Sequence, residues 1–197
     1  MSQQLQPINS LSPSEKQEEK EKSQAQLDYE AGVEFLKNKE HGMAANAFHN
    51  AFVSYEQEGD EFGMANAADK LGDICAERGD FEGALAHYDR TYAICLKHKD
   101  RLSLFSIEKK KARLMLDAKQ YDKAIALYLD VLDEYAALRN PQGSVDTLET
   151  LAGIYLTIGN RAKAADAYRV AASIHKSFKH NRHAEKLLAK AAEVEQG

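Results

Sequence analysis

The chain has 197 residues, 44% of them hydrophobic and 29% charged, with a formal net charge of −5, three prolines and no tryptophan. Its length supports one domain with a sizeable core, and its wealth of Ala, Leu, Glu and Lys favours helix and argues against a sheet built on alternating Val, Ile and Thr. The negative balance offers no field to collect phosphate backbones, so no nucleic-acid partner is expected; Cys75 and Cys95 stand in no C-x-x-C spacing and suggest neither a zinc site nor a disulfide framework.

Residues 1–11 are polar and without periodicity. Ser12-Pro13-Ser14-Glu15 has the form of a capping box, and the charged run Glu15 to Lys22 then suits a solvated helix. Residues 1–24 therefore read as a disordered or frayed charged arm, with docking of that arm in a groove as the second reading. No basic and apolar leader opens the chain and no run of about 18 apolar residues interrupts it, so a cytoplasmic protein with no membrane partner is the expectation.

From residue 25 a register of 40 residues takes over. Ala44, Ala84, Ala124 and Ala164 are followed four residues later by Phe48, Tyr88, Tyr128 and Tyr168. Ahead of them stand Gly32, Gly72, Ala112 and Ala152, and beyond them Ala51, Thr91, Val131 and Ala171. Asp60, Asp100 and Asn140 occupy N-cap positions, with Pro141 at a first helical position. Gly79-Asp80 and Gly159-Asn160 mark turns that stop one helix and cap the next. The pattern predicts helix pairs near 25–38 and 41–57, 61–78 and 81–98, 101–118 and 121–137, and 141–158 and 161–177, in units of about 25–60, 61–100, 101–140 and 141–180. A last helix near 182–195 caps the open end, within a segment 181–197. Small residues let helices approach, aromatic residues fill the space between neighbouring units, and stacked pairs share a core that no single pair could close.

These columns resemble the tetratricopeptide motif, W-x2-L-G-x2-Y…A-x3-F…P, over roughly residues 25–177. The spacing Gly32 to Ala44 and Gly72 to Ala84 is the motif's own. The Trp site holds Asp28, Ala68, Glu108 and Leu148, the period is 40 rather than 34, and the closing Pro is absent, which lets the second helix run on. The resemblance implies an all-α, right-handed helical-hairpin solenoid of four such repeats plus the C-terminal capping helix. It implies recognition of peptides or helices on a concave face lined by the first helix of each pair, and no catalysis.

Residues off the apolar stripe of those first helices are the candidate binding residues: Asn66, Asp69 and Asp73 in unit two, Ser106, Lys109 and Arg113 in unit three, Asp146 and Glu149 in unit four. Unit one offers Tyr29, Val33 and Leu36. Lys109 and Arg113, four apart on one helical face, suit a carboxylate or phosphate; equally they suit pairing with Asp69 and Asp73 on the neighbouring helix. The carboxylate clamp of related co-chaperones is not expected, because its aligned positions hold Tyr29, Val33, Lys70, Ser106 and Lys110. No phosphate-loop, zincin or nucleophile-elbow motif occurs, so neither cofactor nor metal is expected. His180 and His183 read as a surface pair, His175 as a packing residue, and both cysteines as inert core thiols. A protein-binding scaffold is the leading expectation, and a self-assembling structural protein the alternative.

Overall fold

The computed structural model describes residues 22–196. Among them there is no strand; the helices are α1 (Gln24–Lys37), α2 (His41–Glu58), α3 (Glu61–Glu77), α4 (Phe81–Lys97), α5 (Arg101–Asp117), α6 (Tyr121–Ala137), α7 (Pro141–Thr157), α8 (Arg161–Ser177) and α9 (Asn181–Gln196). Each helix packs chiefly on its neighbours in the chain, the arrangement of a stacked-hairpin solenoid. The reading of residues 1–24 as an arm falls, up to residue 21, outside the described residues.

Local chemistry sets the helix ends. Ser23 and Gln26 form a reciprocal capping box at α1. Asp60, Asp80 and Asn140 each accept from the N–H of the residue three ahead, at 2.9 Å, satisfying donors that the helix cannot. Asp100 does the same for Ser103 and Asn160 for Lys163. At the other ends, one left-handed residue stops each of α1 to α8: Lys39, Gly59, Gly79, Lys99, Lys119, Arg139, Gly159 and Lys179, in strict steps of 20 residues. Where glycine is missing the residue is always basic. A cation there faces the negative end of the helix it follows, which offsets part of the backbone strain.

The alanine column is the tightest part of the core: Ala44, Ala84, Ala124 and Ala164 have no exposed surface. As expected, the Phe48–Tyr88 column packs between units, Phe48 clustering with Leu71 and Ile74 of α3 and Tyr88 with Ile107 and Leu114 of α5, and it also closes each hairpin on itself. A Cβ on Gly32 would come 2.8 Å from Phe48, and one on Gly72 2.5 Å from Tyr88, so these rings press on the partner helix of their own hairpin. A second set also packs between hairpins, in which Tyr55 abuts Gly63 and Tyr135 abuts Gly143. Tyr29, Val33 and Leu36, expected on an open groove, pack with Ala44, Phe48, Leu71 and Ile74 instead, because the apolar face of α1 is drawn into the core. At the far end α9 adds Ala184, Leu187 and Ala191, with Val194 half-buried beside them, to the cluster of α7 and α8, and turns its opposite face to solvent.

Candidate functional site

The odd-numbered helices α3, α5 and α7 stand side by side on one face, and the even helices between them supply the floor. Three clefts lie along this face. A narrow one of about 130 Å³ is lined by Asn66 and Asp69 of α3, Thr91 and Cys95 of α4, and Ser106 of α5. The largest, about 540 Å³, is lined by Asp73, Tyr88, Ser106, Lys109, Arg113 and Asp117. A third, about 210 Å³, lies between α5 and α7 and is lined by Lys109, Tyr128, Tyr135, Asp146, Thr147 and Thr150. Ser106 belongs to the first two and Lys109 to the last two, so the clefts form one groove across three hairpins.

The groove's central feature is an ion-pair network between hairpins. Lys110 Nζ lies 2.7 Å from Oδ1 of Asp69 and 2.7 Å from Oδ1 of Asp73, and the Tyr88 hydroxyl donates to Asp73 at 2.9 Å. The ammonium also stands 5.7 Å above the Tyr88 ring. Burial pulls the Lys110 pKa down, but the hydrogen bonds and charges of the two aspartates outweigh it and hold it above its ordinary value. Burial, then the charge and hydrogen bond of Asp73, push the Tyr88 phenol far up.

The network corrects the pairing considered for Lys109 and Arg113. One residue of helix turns a side chain by about 100°, and of the three consecutive lysines it is Lys110 that faces α3. Lys111 turns to Asp89 of α4 at 2.7 Å. Lys109 points to the other side, 4.9 Å above Phe105 and 5.7 Å above Tyr135, and among the described residues it has no carboxylate oxygen within 4.0 Å. Arg113 is held by Asp117 on its own helix, Nε to Oδ2 2.9 Å; that hydrogen bond raises its pKa.

Seven of the eight candidate residues therefore line the groove: Asn66, Asp69, Asp73, Ser106, Lys109, Arg113 and Asp146. Two of them, Asp69 and Asp73, have their charge already met by Lys110. The eighth, Glu149, is instead bonded to Lys190 of α9 at 3.0 Å and joins α7 to the last helix. Sequence reasoning missed Lys110, Tyr135, Thr147 and Thr150; Tyr135 was legible only as an aromatic at the packing position of Tyr55.

The remaining candidates sit apart. His175 joins His180 and His183, with ring centres 5.2 to 6.2 Å apart. Among the described residues no group of three or more His, Cys, Asp or Glu is arranged to hold a metal. Burial pushes the thiol pKa of both Cys75 and Cys95 up, which disfavours the reactive thiolate.

Stacked antiparallel hairpins with a small-residue column and a left-handed stop between every pair of helices define a tetratricopeptide-type helical-repeat protein. Within that class, the profile of the family described as soluble NSF attachment protein (SNAP) matches residues 12–146. The chain belongs to that family. No curated protein matches its sequence. Among solved structures it is similar to the apo form of RapI, with a TM-score of 0.71 and 15% identity over 88% of this chain and 65% of that one. It is similar to nearly identical repeats of a putative kinesin light chain from Podosopora anserina, with a TM-score of 0.61 and 14% identity over 88% and 97%. It is also similar to the Rap conjugation gene regulator of plasmid pLS20 in complex with the Phr* peptide, with a TM-score of 0.57 and 16% identity over 83% and 45%. The chain thus spans about two thirds of RapI and less than half of the pLS20 regulator.

Proposed function

We propose that the chain is a non-catalytic scaffold that binds another protein, through a peptide or helix laid along the groove over α3, α5 and α7. One observation carries the reading: the groove is continuous across three hairpins, and at the junction of its two larger clefts stands Lys109, a half-buried cation with no carboxylate partner among the described residues. A charge partly removed from water and left unpaired is a place where a partner's carboxylate gains more than it would on open surface.

The comparisons agree with this use of the fold. The pLS20 regulator was solved with a peptide bound, and the family's name describes attachment to another protein. The polar side chains of the groove lie in rows along helices rather than converging on a reacting atom, the arrangement of a recognition surface. Among the described residues no helix is long and apolar enough to cross a membrane.

Capture of partners from lysate of the source cell tests the proposal, comparing the natural chain with Lys109→Glu plus Arg113→Glu. A partner kept by the first and lost by the second, with helical circular dichroism unchanged, supports groove binding. A partner indifferent to the change removes the groove from the reading. Recovery of the bait alone, with a solution mass above 22.0 kDa, favours self-assembly instead.

A further inference from the structure

Several of the charges lining the groove are neutralised within the chain. Lys110 holds Asp69 and Asp73, and Asp117 holds Arg113. Glu77, on the rim of the largest cleft, has an imidazole near it, His41 Nδ1 at 3.1 Å, and Asp100, which lines the narrow cleft, accepts from the Ser103 N–H at the start of α5. In the cleft between α5 and α7 two charges of opposite sign have no ion-pair partner among the described residues. Lys109 rests on the faces of Phe105 and Tyr135. The Asp146 carboxylate accepts from the side-chain amide of Gln142, at 2.7 Å, and among the described residues has no cation within 4.0 Å.

Both line the same cleft of about 210 Å³, Lys109 from α5 and Asp146 from α7, yet they do not pair with each other. Tyr128 and Tyr135 of α6 lie along its floor, and Thr147 and Thr150 line it from the α7 wall. The Tyr135 ring also fixes the spacing of the walls, because it fills the space a side chain on Gly143 of α7 would need and meets Phe105 of α5 edge-on at 4.9 Å. The two charges are thus held apart on opposite walls of a preformed slot.

From this arrangement we infer that the groove selects a segment carrying an acidic and a basic side chain together, the acid set against Lys109 and the base against Asp146. The inference rests on the groove reading above and goes further by naming the partner's chemistry. A purely acidic segment that satisfied Lys109 would bring like charge toward Asp146, and a purely basic one would do the same at Lys109; only the ampholytic segment meets both walls without repulsion. On a partner helix, acid and base four residues apart lie on one face and can reach both walls at once. The slot opens at Lys109 into the 540 Å³ cleft, which leaves room for the segment to continue toward α3.

Three synthetic helical peptides of about 15 residues, alike except for their charged positions, provide the test. One carries Glu and Lys four apart, one only Glu, one only Lys. Fluorescence anisotropy against the full chain is expected to give tightest binding for the mixed peptide, by about tenfold over either other. Asp146→Lys is expected to abolish the preference for the mixed over the acidic peptide. The swapped pair Lys109→Glu with Asp146→Lys is expected to prefer the mixed peptide with its charges exchanged. If the acidic peptide binds as tightly as the mixed one and is lost on Lys109→Glu, the groove reading stands and the ampholytic inference falls. If the basic peptide is tightest, the inference falls in the other direction. If no peptide binds up to about millimolar concentration, the inference also falls, and the capture experiment above decides the groove by itself.

Discussion

The Tyr88 ring stands where a side chain on Gly72 would have to go: a Cβ there would come 2.5 Å from Tyr88 Cε1. Glycine inside a helix is ordinarily a weakness of about 0.5–1 kcal/mol relative to alanine, yet here its lack of a side chain lets the α4 aromatic close on the α3 backbone. Gly72→Ala is therefore expected to destabilise, by about 1–3 kcal/mol, because the ring is also held by its bond to Asp73 and the Lys110 ammonium above it. Gly153, on the same type of helix but with nothing within 4 Å of its missing Cβ, is the control. Gly153→Ala is expected to stabilise by about 1 kcal/mol. Urea unfolding of the two variants checks both signs, and a stabilising Gly72→Ala would refute the packing account.

The left-handed stops give a second set of stability changes. Lys99, Lys119, Arg139 and Lys179 hold φ between 52° and 60°, a region that a residue with a Cβ enters at a cost of about 1 kcal/mol or more. Replacement by glycine relieves this strain but removes a cation from the helix terminus, worth about 0.3–1 kcal/mol. Lys119→Gly is expected to raise stability by a few tenths of a kcal/mol to about 1 kcal/mol, and the gain should grow with salt as the lost dipole interaction is screened. Thermal melts at low and high ionic strength measure both.

These two features mark what the sequence displays and what it hides. The hairpins were legible because small residues and cap residues recur in register: Ala44 to Ala164 fix the close contacts, and Asp60, Asp100 and Asn140 fix the starts. Five of the eight stops were not, since lysine and arginine carry no turn signal and the step of 20 shows only when the backbone angles of Lys39, Lys99, Lys119, Arg139 and Lys179 are known. The groove face was legible from the amphipathic stripe, but the partner of each lysine in the run 109–111 was not. Helical periodicity tells which residues leave the core; it does not tell which neighbouring helix a half-exposed side chain meets. That depends on helix spacing, and a shift of one residue turns Lys110 onto the two aspartates while Lys109 goes to the rings.

Alkaline pH is expected to weaken the fold through the same network. The Tyr88 phenol is raised above its unfolded value near 10 and the Lys110 ammonium above its unfolded value near 10.4. A group that binds its proton more tightly when folded contributes stability that is whole below its unfolded pKa and lost as pH rises beyond it. Tyr29, Tyr55 and Tyr128, also raised by burial, act in the same direction. Urea midpoints should therefore hold steady up to about pH 9 and fall above about pH 10, with phenolate absorbance rising together with the loss of helix. Tyr88→Phe should be less stable at neutral pH, by about 1 kcal/mol for the lost hydrogen bond, and should show a shallower alkaline decline.

Adjacent lysines of α5 should part completely when reversed in charge. Lys110 is the cation between two carboxylates, with only 28% of its side chain exposed. Lys110→Glu puts a third carboxylate among them, and after allowance for the solvent that still reaches the site a loss of about 2–4 kcal/mol is expected. Lys109 has rings beneath it and no carboxylate, so Lys109→Glu removes a cation–π contact worth about 0.5–1 kcal/mol and adds a mild repulsion from Asp146 across the open cleft. Denaturant unfolding should thus separate two substitutions of identical chemistry one residue apart. If the groove is the recognition surface, the ordering inverts for binding: Lys109→Glu, folded and nearly as stable as the natural chain, is the variant that loses the partner. Lys110→Asn, which keeps a donor between the aspartates without a charge, should retain the partner at temperatures where the chain is folded. Equal stability losses at the two positions would show that Lys110 does not join the second hairpin to the third.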